Sequence, residues 1–251
     1  MGNPCFSHSL TISDRAILYA ASLGTEDTTQ LESRLYAYNR LPASLTEWNH
    51  NSPTDSFLGV ADSRHFPQMW SRNAAGESPG WLSWKNRDIV STRGDVFKLY
   101  LCILPDDLAR LFVDCLQILG STKSNYIKIG STRISLNRPD KFVAYFAGKE
   151  DLDAAVSALD SLLMGLSPHE LPFAAMLSNP VLAWGIDPDR RMAELKYRSW
   201  RTWMVSKVAQ ALSAARHPAE HPEVTLSLVR KHLAEAGIDP LTMSPQSVTF
   251  A

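Results

Sequence analysis

The chain of 251 residues has few cysteines, almost no net charge and no long hydrophobic run. Cys5, Cys102 and Cys115 are an odd number and lack metal-ligand spacing. Cys102 lies in a predicted strand and Cys115 in a predicted amphipathic helix, so we expect these two to be buried thiols. A formal net charge of −1 argues against broad nucleic-acid binding, which depends on many phosphate contacts. No stretch approaches the roughly 20 consecutive apolar residues of a membrane span, and the N-terminus does not resemble a signal peptide. We therefore expect a cytoplasmic protein that binds neither nucleic acid nor membrane.

The sequence also lacks a metal-binding pattern among its seven histidines. His217 and His221 are four residues apart, but Pro218 between them breaks the helix that would bring them together. His65 and His169 have no neighbours in the sequence that suggest a special role. We therefore expect no metal and no other cofactor.

The first third of the chain combines two predicted helices with an irregular, tryptophan-rich stretch. One helix begins near Asp14 and ends near Gly24, and a second spans 25–38. From about residue 41 to 91, Pro, Asn, Ser, Gly and His alternate with isolated aromatic residues. Disordered segments are poor in aromatics, so we interpret this stretch as an irregular layer whose aromatic side chains dock onto the main domain.

Regular patterning begins at Gly94. The pattern predicts strand, helix, strand, strand, helix, strand and two further helices, at about 95–104, 106–119, 125–130, 141–147, 149–163, 180–187, 199–215 and 224–236. The order of the first six is the split βαβ arrangement of an α+β sandwich. We predict an α+β fold: a mixed or largely antiparallel sheet, helices on one face and an irregular N-terminal layer. The predicted domains are 1–92, with the N-terminal helices and docking layer, and 93–251, the core.

Three of these strands sort their side chains into an apolar and a polar face, because residues alternate sides along a strand. The polar face gathers three lysines and two tyrosines, namely Lys98, Tyr100, Lys128, Lys141 and Tyr145. We predict that all of these except Lys141 project into one concavity, with Arg138 at its rim. Such a floor can hold an anion and move protons near it.

The polar face has a simpler interpretation as well. An antiparallel sheet commonly leaves one face in water, where lysine and tyrosine need no further role. Two features favour a binding site instead. Long loops in compact domains are often lids or binding loops, and Arg133 and Arg138 lie in the loop that leads to the third strand. The segment from Arg138 to Lys141 can equally form a turn with a salt bridge.

Two further charged segments have alternative interpretations. Arg201 opens the helix predicted at 199–215, where free amides and the helix dipole favour an anion. Its stem can equally pack between the indoles of Trp200 and Trp203. The Asp-Pro-Asp-Arg-Arg segment that starts at Asp187 we interpret as a solvated turn.

The residues of the polar face resemble the motif of the phosphothreonine lyases found among type III secretion effectors. Those enzymes carry Lys-x-His on one strand, then a lysine base, then an arginine and a tyrosine a short way downstream. The corresponding positions here are Lys98 and Tyr100, then Lys128, then Arg138 and Tyr145. Tyr100 stands where the lyases have a histidine acid.

The stretch 126–145 is also similar to the HopA-type effector family. Relatives of that family act as lyase components in class V lanthipeptide and thioamide-peptide biosynthesis. The resemblance covers roughly residues 94 to 215 and leaves the N-terminal third unexplained. It implies β-elimination of phosphate from phosphoserine or phosphothreonine in a peptide or protein, without a metal and with a separate kinase as a partner.

In that chemistry a base removes the Cα proton, phosphate departs and a dehydroamino acid remains. A lysine serves as a base at neutral pH only where neighbouring cations and desolvation favour its neutral amine. We predict Lys128 as the base and Tyr100 or Tyr145 as the proton donor. The predicted phosphate-binding residues are Lys98, Arg138, Lys141 and Arg201.

Three functions are therefore open at this point. The leading hypothesis is a phosphoserine/phosphothreonine lyase-like protein that acts on a peptide or protein. The alternative is a non-catalytic module of the same fold that binds a phosphopeptide or leader peptide, which the tyrosine at position 100 keeps open. A third is a structural or assembly protein that uses the tryptophan-rich segment as its contact surface.

Overall fold

A computed structural model describes residues 10–42, 57–58, 66–74, 78–89, 96–188, 199–215 and 221–246. Within these ranges the chain forms seven helices and a seven-stranded sheet in which every neighbouring pair of strands is antiparallel. The predicted α+β class is confirmed. None of the helices in these ranges is long and apolar enough to cross a membrane.

The helices lie close to their predicted positions, and several have clear capping signals. They are α1 (Ile12–Ser22), α2 (Thr28–Ala37), α3 (Pro105–Ser121), α4 (Arg133–Leu136), α5 (Lys149–Leu163), α6 (Trp200–Ala214) and α7 (Pro222–Glu235). Thr11 and Asp14 form a capping box at α1, in which each side chain accepts the other residue's backbone amide. Ser199 caps α6 by accepting the amide of Thr202.

The strands lie in the order β1-β2-β4-β5-β3-β7-β6 across the large sheet, and β8 and β9 form a separate pair. Their bounds are β1 (Trp70–Arg72), β2 (Trp81–Asn86), β3 (Phe97–Leu101), β4 (Tyr126–Gly130), β5 (Phe142–Phe146), β6 (Ala175–Met176), β7 (Leu182–Ile186), β8 (Ile238–Asp239) and β9 (Ser244–Pro245). The three strands with predicted polar faces are therefore adjacent, with β5 between β4 and β3.

One face of the sheet packs against α3 and α5. The Phe112 ring of α3 lies with its centroid 5.2 Å from that of Phe142 on β5 and 6.2 Å from that of Trp84 on β2. Leu99, Ile127 and their neighbours of the same parity are fully buried there. Burying such a side chain contributes about 1.5–3 kcal/mol relative to leaving it exposed, so this layer is the main core.

The opposite face, which we call the lysine face, carries Lys98 and Lys128 and is also covered in part. Gly185 on β7 pairs across the strands with Lys98, so it belongs to the lysine face. A Cβ atom at Gly185 would come within 2.4 Å of Cδ1 of Trp200, so α6 packs directly on the backbone there. The prediction placed helices on one face, whereas the structure has helices on both. Much of the lysine face is therefore buried.

Part of the tryptophan-rich segment is regular. The sequence analysis predicts no strand between residues 41 and 91, yet β2 pairs with β4 along its length and β1 extends the edge. The aromatic side chains hide the alternation in β2, since Trp81 lies on the lysine face and Trp84 on the core face. The sheet crosses the predicted boundary at residue 93, and the division into domains stays a prediction. The other residues of this segment lie largely outside the described ranges.

Candidate functional site

The strand register brings the predicted residues of β3, β4 and β5 to the lysine face. Lys98 pairs with Tyr145 and Tyr100 with Val143 across β3 and β5. Lys128 pairs with the same Val143 from the other side, across β4 and β5. Cross-strand partners lie on the same face of a sheet, so the two lysines flank the central strand.

Lys98 is buried in an ion pair that the sequence analysis did not predict. Its Nζ lies 2.6 Å from Oδ1 of Asp187, and the side chain is 6% exposed. The same Asp187 oxygen accepts the backbone N–H of Trp200 at 2.9 Å. The ammonium also lies 5.2 Å from the centroid of the Tyr145 ring. Asp187, expected in a solvated turn, thus connects β3 to the first residue of α6.

The two predicted proton donors, Tyr100 and Tyr145, are buried phenols. Burial, followed by the charge of Asp187, raises the pKa of Tyr100 well above its ordinary value. Burial and the neighbouring Tyr126 do the same to the pKa of Tyr145. The Tyr126 and Tyr145 rings stack with their centroids 4.1 Å apart. Both phenols therefore hold their protons firmly at neutral pH.

Arg138 and Arg201 meet at one carboxylate, Asp140. Arg138 donates to both oxygens of Asp140 at 2.8 Å, and Nη1 of Arg201 donates to Oδ2 at 2.6 Å. The hydroxyl of Tyr36 donates to Asp140 at 3.1 Å and accepts from Arg138 at 2.9 Å. Burial alone would raise the pKa of Asp140, but the two guanidinium groups hold it well below its usual range.

Both arginines have a carboxylate of the protein as a partner. The turn with a salt bridge predicted for residues 138–141 is present between Arg138 and Asp140. Arg201 is 1% exposed and directs its guanidinium to Asp140, to the carbonyl of Pro172 and to that of Tyr36. A phosphate group that binds these arginines therefore has to share them with Asp140.

Lys141 is fully buried and has no carboxylate partner among the described residues. Its Nζ lies 2.6 Å from the carbonyl oxygen of Ile103 and 2.9 Å from Nδ1 of His169. His169 Nε2 lies 2.6 Å from the carbonyl oxygen of Asn39. A carbonyl only accepts, so Nε2 carries the proton and Nδ1 accepts from Lys141.

Burial lowers the pKa of Lys141 to about 7. Burial and the nearby Lys141 lower the pKa of His169 to about 4. The ammonium of Lys141 is thus occupied by protein acceptors and sealed from solvent. This geometry does not favour the predicted phosphate contact for Lys141.

The lysine face is more open around Lys128. Lys128, Tyr126 and Trp81 are half-buried, and Lys85 at the outer end of β2 is exposed. The guanidinium of Arg138 lies 4.7 Å from the centroid of the Trp81 ring. Lys128 is therefore the predicted site residue that a bound molecule can reach from the open side, with Arg138 beyond Trp81. The roles assigned to these residues stay predictions.

Sequence reasoning missed the acidic partners of Lys98 and Arg201 and the contribution of Trp81 to this site. Asp140 and Asp187 are distant in sequence from Arg201 and Lys98, so no local pattern indicates the pairing. Buried arginine and lysine require a partner, which is the signal that could have prompted a search for carboxylates. In the described ranges no group of three His, Cys, Asp or Glu side chains is arranged to hold a metal ion.

No protein-family model and no curated protein matches the chain. Among solved structures, the chain is similar to an effector protein from Pseudomonas syringae pv. syringae strain 61, with a TM-score of 0.61, 16% identity and coverage of 93% of this chain and 95% of that one. An effector protein from Pseudomonas syringae pv. tomato strain DC3000 follows at a TM-score of 0.56 and 13% identity, with coverage of 93% and 96%. The chain therefore has the fold of these two effector proteins.

A third solved structure is the phosphothreonine lyase SpvC, an effector protein from Salmonella. It aligns at a TM-score of 0.34 and 12% identity, with coverage of 81% of this chain and all of that one. A similarity this low carries no argument about chemistry. The two Pseudomonas structures, at identities below 20%, establish the fold alone.

Proposed function

We propose that the chain binds the phosphate of a phosphorylated peptide or protein on the lysine face and eliminates it from phosphoserine or phosphothreonine. The observation that carries the proposal is the position of Lys98 and Lys128 on either side of β5, with Lys128 toward the open side. The resemblance of these residues to the phosphothreonine lyase motif supports the same reaction. The substrate would then be a peptide phosphorylated by a separate kinase, as in class V lanthipeptide biosynthesis.

The elimination needs one base and one departing phosphate. The neutral amine of Lys128 accepts the Cα proton, and the electron pair of that C–H bond forms the Cα=Cβ double bond. The Cβ–O bond breaks, and phosphate leaves with the bonding electrons. The products are a dehydroamino acid, inorganic phosphate and a protonated Lys128, which returns its proton to solvent.

The phosphate is stabilised by charge more than by proton donation. Burial raises the pKa of Tyr100 and of Tyr145, so both phenols are weak acids. Among the described residues, Lys98, Arg138 and Arg201 carry positive charge at the lysine face and its rim, against the carboxylates of Asp140 and Asp187. Lys128 adds a further positive charge once it has taken the Cα proton. Positive groups fixed around a departing dianion are the larger contribution in such a site.

The test is incubation of the chain with phosphothreonine peptides, followed by mass spectrometry. Elimination removes phosphoric acid, whereas hydrolysis restores the hydroxyl group. Lys128→Ala should slow elimination by about a hundredfold or more, the usual range for loss of a general base. Lys85→Ala, which removes an exposed lysine from the adjacent strand, is the matched control and should keep the wild-type rate. Equal rates in both variants would contradict the role of Lys128.

The second candidate is a non-catalytic phosphopeptide-binding module. It is favoured by the ion pairs of Lys98 with Asp187 and of Arg138 and Arg201 with Asp140, which hold these cations in a fixed, partly neutralised arrangement. A binding module shows no product with wild type or with Lys128→Ala, yet prefers the phosphorylated form of a peptide. A lyase loses turnover in Lys128→Ala and keeps most of its peptide affinity.

A further inference from the structure

A second candidate site lies outside the lysine face, in a cleft between α2 and α6. The cleft has a volume of about 370 Å³, within the size range of ligand pockets in proteins. Its lining combines one arginine, one carboxylate and three hydroxyl-bearing side chains, namely Arg40, Glu32, Ser33, Tyr36 and Thr202. Ala37 and Val205 supply the apolar part of the lining, so the cleft suits a side chain with an aliphatic stem and a charged end.

The backbone on both sides of Arg40 is fixed by hydrogen bonds to other parts of the chain. Asn39 adopts a left-handed conformation with φ of 63°, and its side-chain amide donates to the carbonyl of Glu170 at 2.7 Å. Its own carbonyl accepts from His169 at 2.6 Å. The amide of Leu41 donates to the carbonyl of Asn137 at 2.9 Å. These hydrogen bonds therefore fix the backbone at Arg40 beside the cleft.

Within the described ranges, Arg40 is also a cation without a direct partner. Its guanidinium makes no ion pair or side-chain hydrogen bond with any residue that the structure describes. Arg40 is exposed overall, and the partial burial of its guanidinium, followed by the positive charge of Arg138, lowers its pKa. The nearby carboxylate, Asp140, is already bonded to Arg138 and Arg201. The carboxylate of Glu32 also lines the cleft and has interactions of its own. Arg40 is therefore the group in this cleft that attracts an anion.

We propose that this cleft binds an acidic side chain of the peptide ligand, with the guanidinium of Arg40 gripping the oxyanion. A planar guanidinium matches a carboxylate or phosphate with two parallel hydrogen bonds. Thr202 and Ser33 contribute hydroxyl groups to the same cleft. The same two hydrogen bonds form whether the side chain ends in a carboxylate or in a phosphate.

Tyr36 and Arg138 connect the cleft to the lysine face. Tyr36 lines the cleft, and its hydroxyl bonds to Arg138, whose guanidinium lies 4.7 Å from the Trp81 ring centroid on the lysine face. A peptide with its phosphate near Lys128 can therefore place a flanking residue in the cleft. This inference rests on the proposed function for the identity of the peptide, whereas the anion site itself is independent of elimination.

The experiment measures the affinity of the full chain for fluorescent peptides of four kinds by anisotropy. The peptides combine threonine or phosphothreonine with either a Glu scan along both flanks or neutral flanks. Arg40→Gln is compared with Arg34→Gln, which removes an exposed arginine of α2 that does not line the cleft. Lys128→Ala is measured in parallel, and a phosphoserine placed at the best Glu position distinguishes phosphate from carboxylate.

Arg40→Gln should weaken binding of the Glu-containing peptides by about tenfold, the loss expected for a charge-assisted hydrogen-bonded pair, and leave the neutral peptides unchanged. Arg34→Gln should change all four affinities by less than about twofold. Equal effects of the two arginine variants, or an equal loss for neutral peptides, would overturn the inference. Failure of the proposed function instead appears as no phosphate preference in wild type and no effect of Lys128→Ala, with the Arg40 effect intact.

Discussion

Residues 140 and 141 are neighbours in sequence and both are buried ionisable groups, yet their surroundings have opposite effects on their charge. Asp140 is matched by Arg138 and Arg201, and its pKa is held low by them despite its burial. Among the residues that the structure describes, Lys141 contacts a carbonyl and a neutral imidazole but no carboxylate, and its pKa falls to about 7. A buried ion with opposite charges stays charged, whereas one without them moves toward its neutral form.

The difference shows which part of the site keeps its charge and which part does not. The Asp140 cluster is a rigid, charged unit that orients two arginines at the end of the lysine face. Lys141 and His169 form a buried pair, and burial lowers the pKa of both groups, so the pair carries little charge at neutral pH. Substitutions in the Asp140 cluster should therefore lower the free energy of unfolding through lost ion pairs. Substitution of Lys141 should mainly change how the free energy of unfolding depends on pH.

The largest effect is expected for Asp140→Asn. This change leaves the buried guanidinium of Arg201 and the half-buried one of Arg138 without their carboxylate, and breaking a buried ion pair from one side costs about 3–5 kcal/mol. The free energy of unfolding in urea should fall by that amount. Asp153→Asn, which removes one partner of an exposed pair with Lys149, is the control and should cost less than about 1 kcal/mol. Equal losses in the two variants would show that the buried cluster contributes no more to the free energy of unfolding than an exposed ion pair does.

A smaller loss is expected for Arg138→Lys. The substitution keeps the positive charge but cannot reproduce the two bonds to Asp140 at 2.8 Å. Hydrogen bonds to charged groups contribute about 1.5–3 kcal/mol, so the unfolding free energy should fall within that range. A loss as large as that of Asp140→Asn would mean that geometry, and not charge balance, dominates the cluster.

The smallest effect, and the one with a pH signature, is expected for Lys141→Met. Between pH 7 and the ordinary lysine pKa of 10.5, the unfolded chain holds this proton and the folded chain releases it. Stability of the wild type therefore rises with pH above 7, by at most about 1.4 kcal/mol per pH unit from this group.

Lys141→Met removes that contribution, so the wild type should gain about 1–2 kcal/mol relative to the variant between pH 7 and 8.5. The window ends below pH 9 because ordinary thiols titrate there, whereas burial raises the pKa of Cys102 to about 12, which adds a second pH-dependent contribution to both proteins. A constant difference between the two proteins across this window would show that Lys141 keeps its ordinary pKa. Unfolding curves at several pH values provide the measurement.

The sequence was sufficient for the central strands and for most helices. Alternation in β3, β4 and β5 predicted which side chains share a face, because side chains alternate between the two faces of a strand whatever packs against it. Lys98 and Lys128 thus fall on the same face, as their parity requires. The strand β2 was missed because Trp81 and Trp84 place large aromatic rings on both of its faces.

The partners of the charged residues were beyond sequence reasoning. Arg201 meets Asp140 across 61 residues, and Lys98 meets Asp187 only because β3 and β7 are adjacent in the sheet. Such pairings depend on the order of the strands and the docking of α6, which no local pattern specifies. The polar alternation was correct, but the degree of burial on the lysine face was not foreseen.

The most direct test of the account is a crystal structure of the chain soaked with phosphothreonine or inorganic phosphate. We expect the phosphate on the lysine face within hydrogen-bond distance of Lys128 Nζ, on the side of Trp81 and Arg138. A Lys128→Ala crystal treated in the same way should show that position empty. Phosphate bound only elsewhere, or bound equally in the two crystals, would contradict the account.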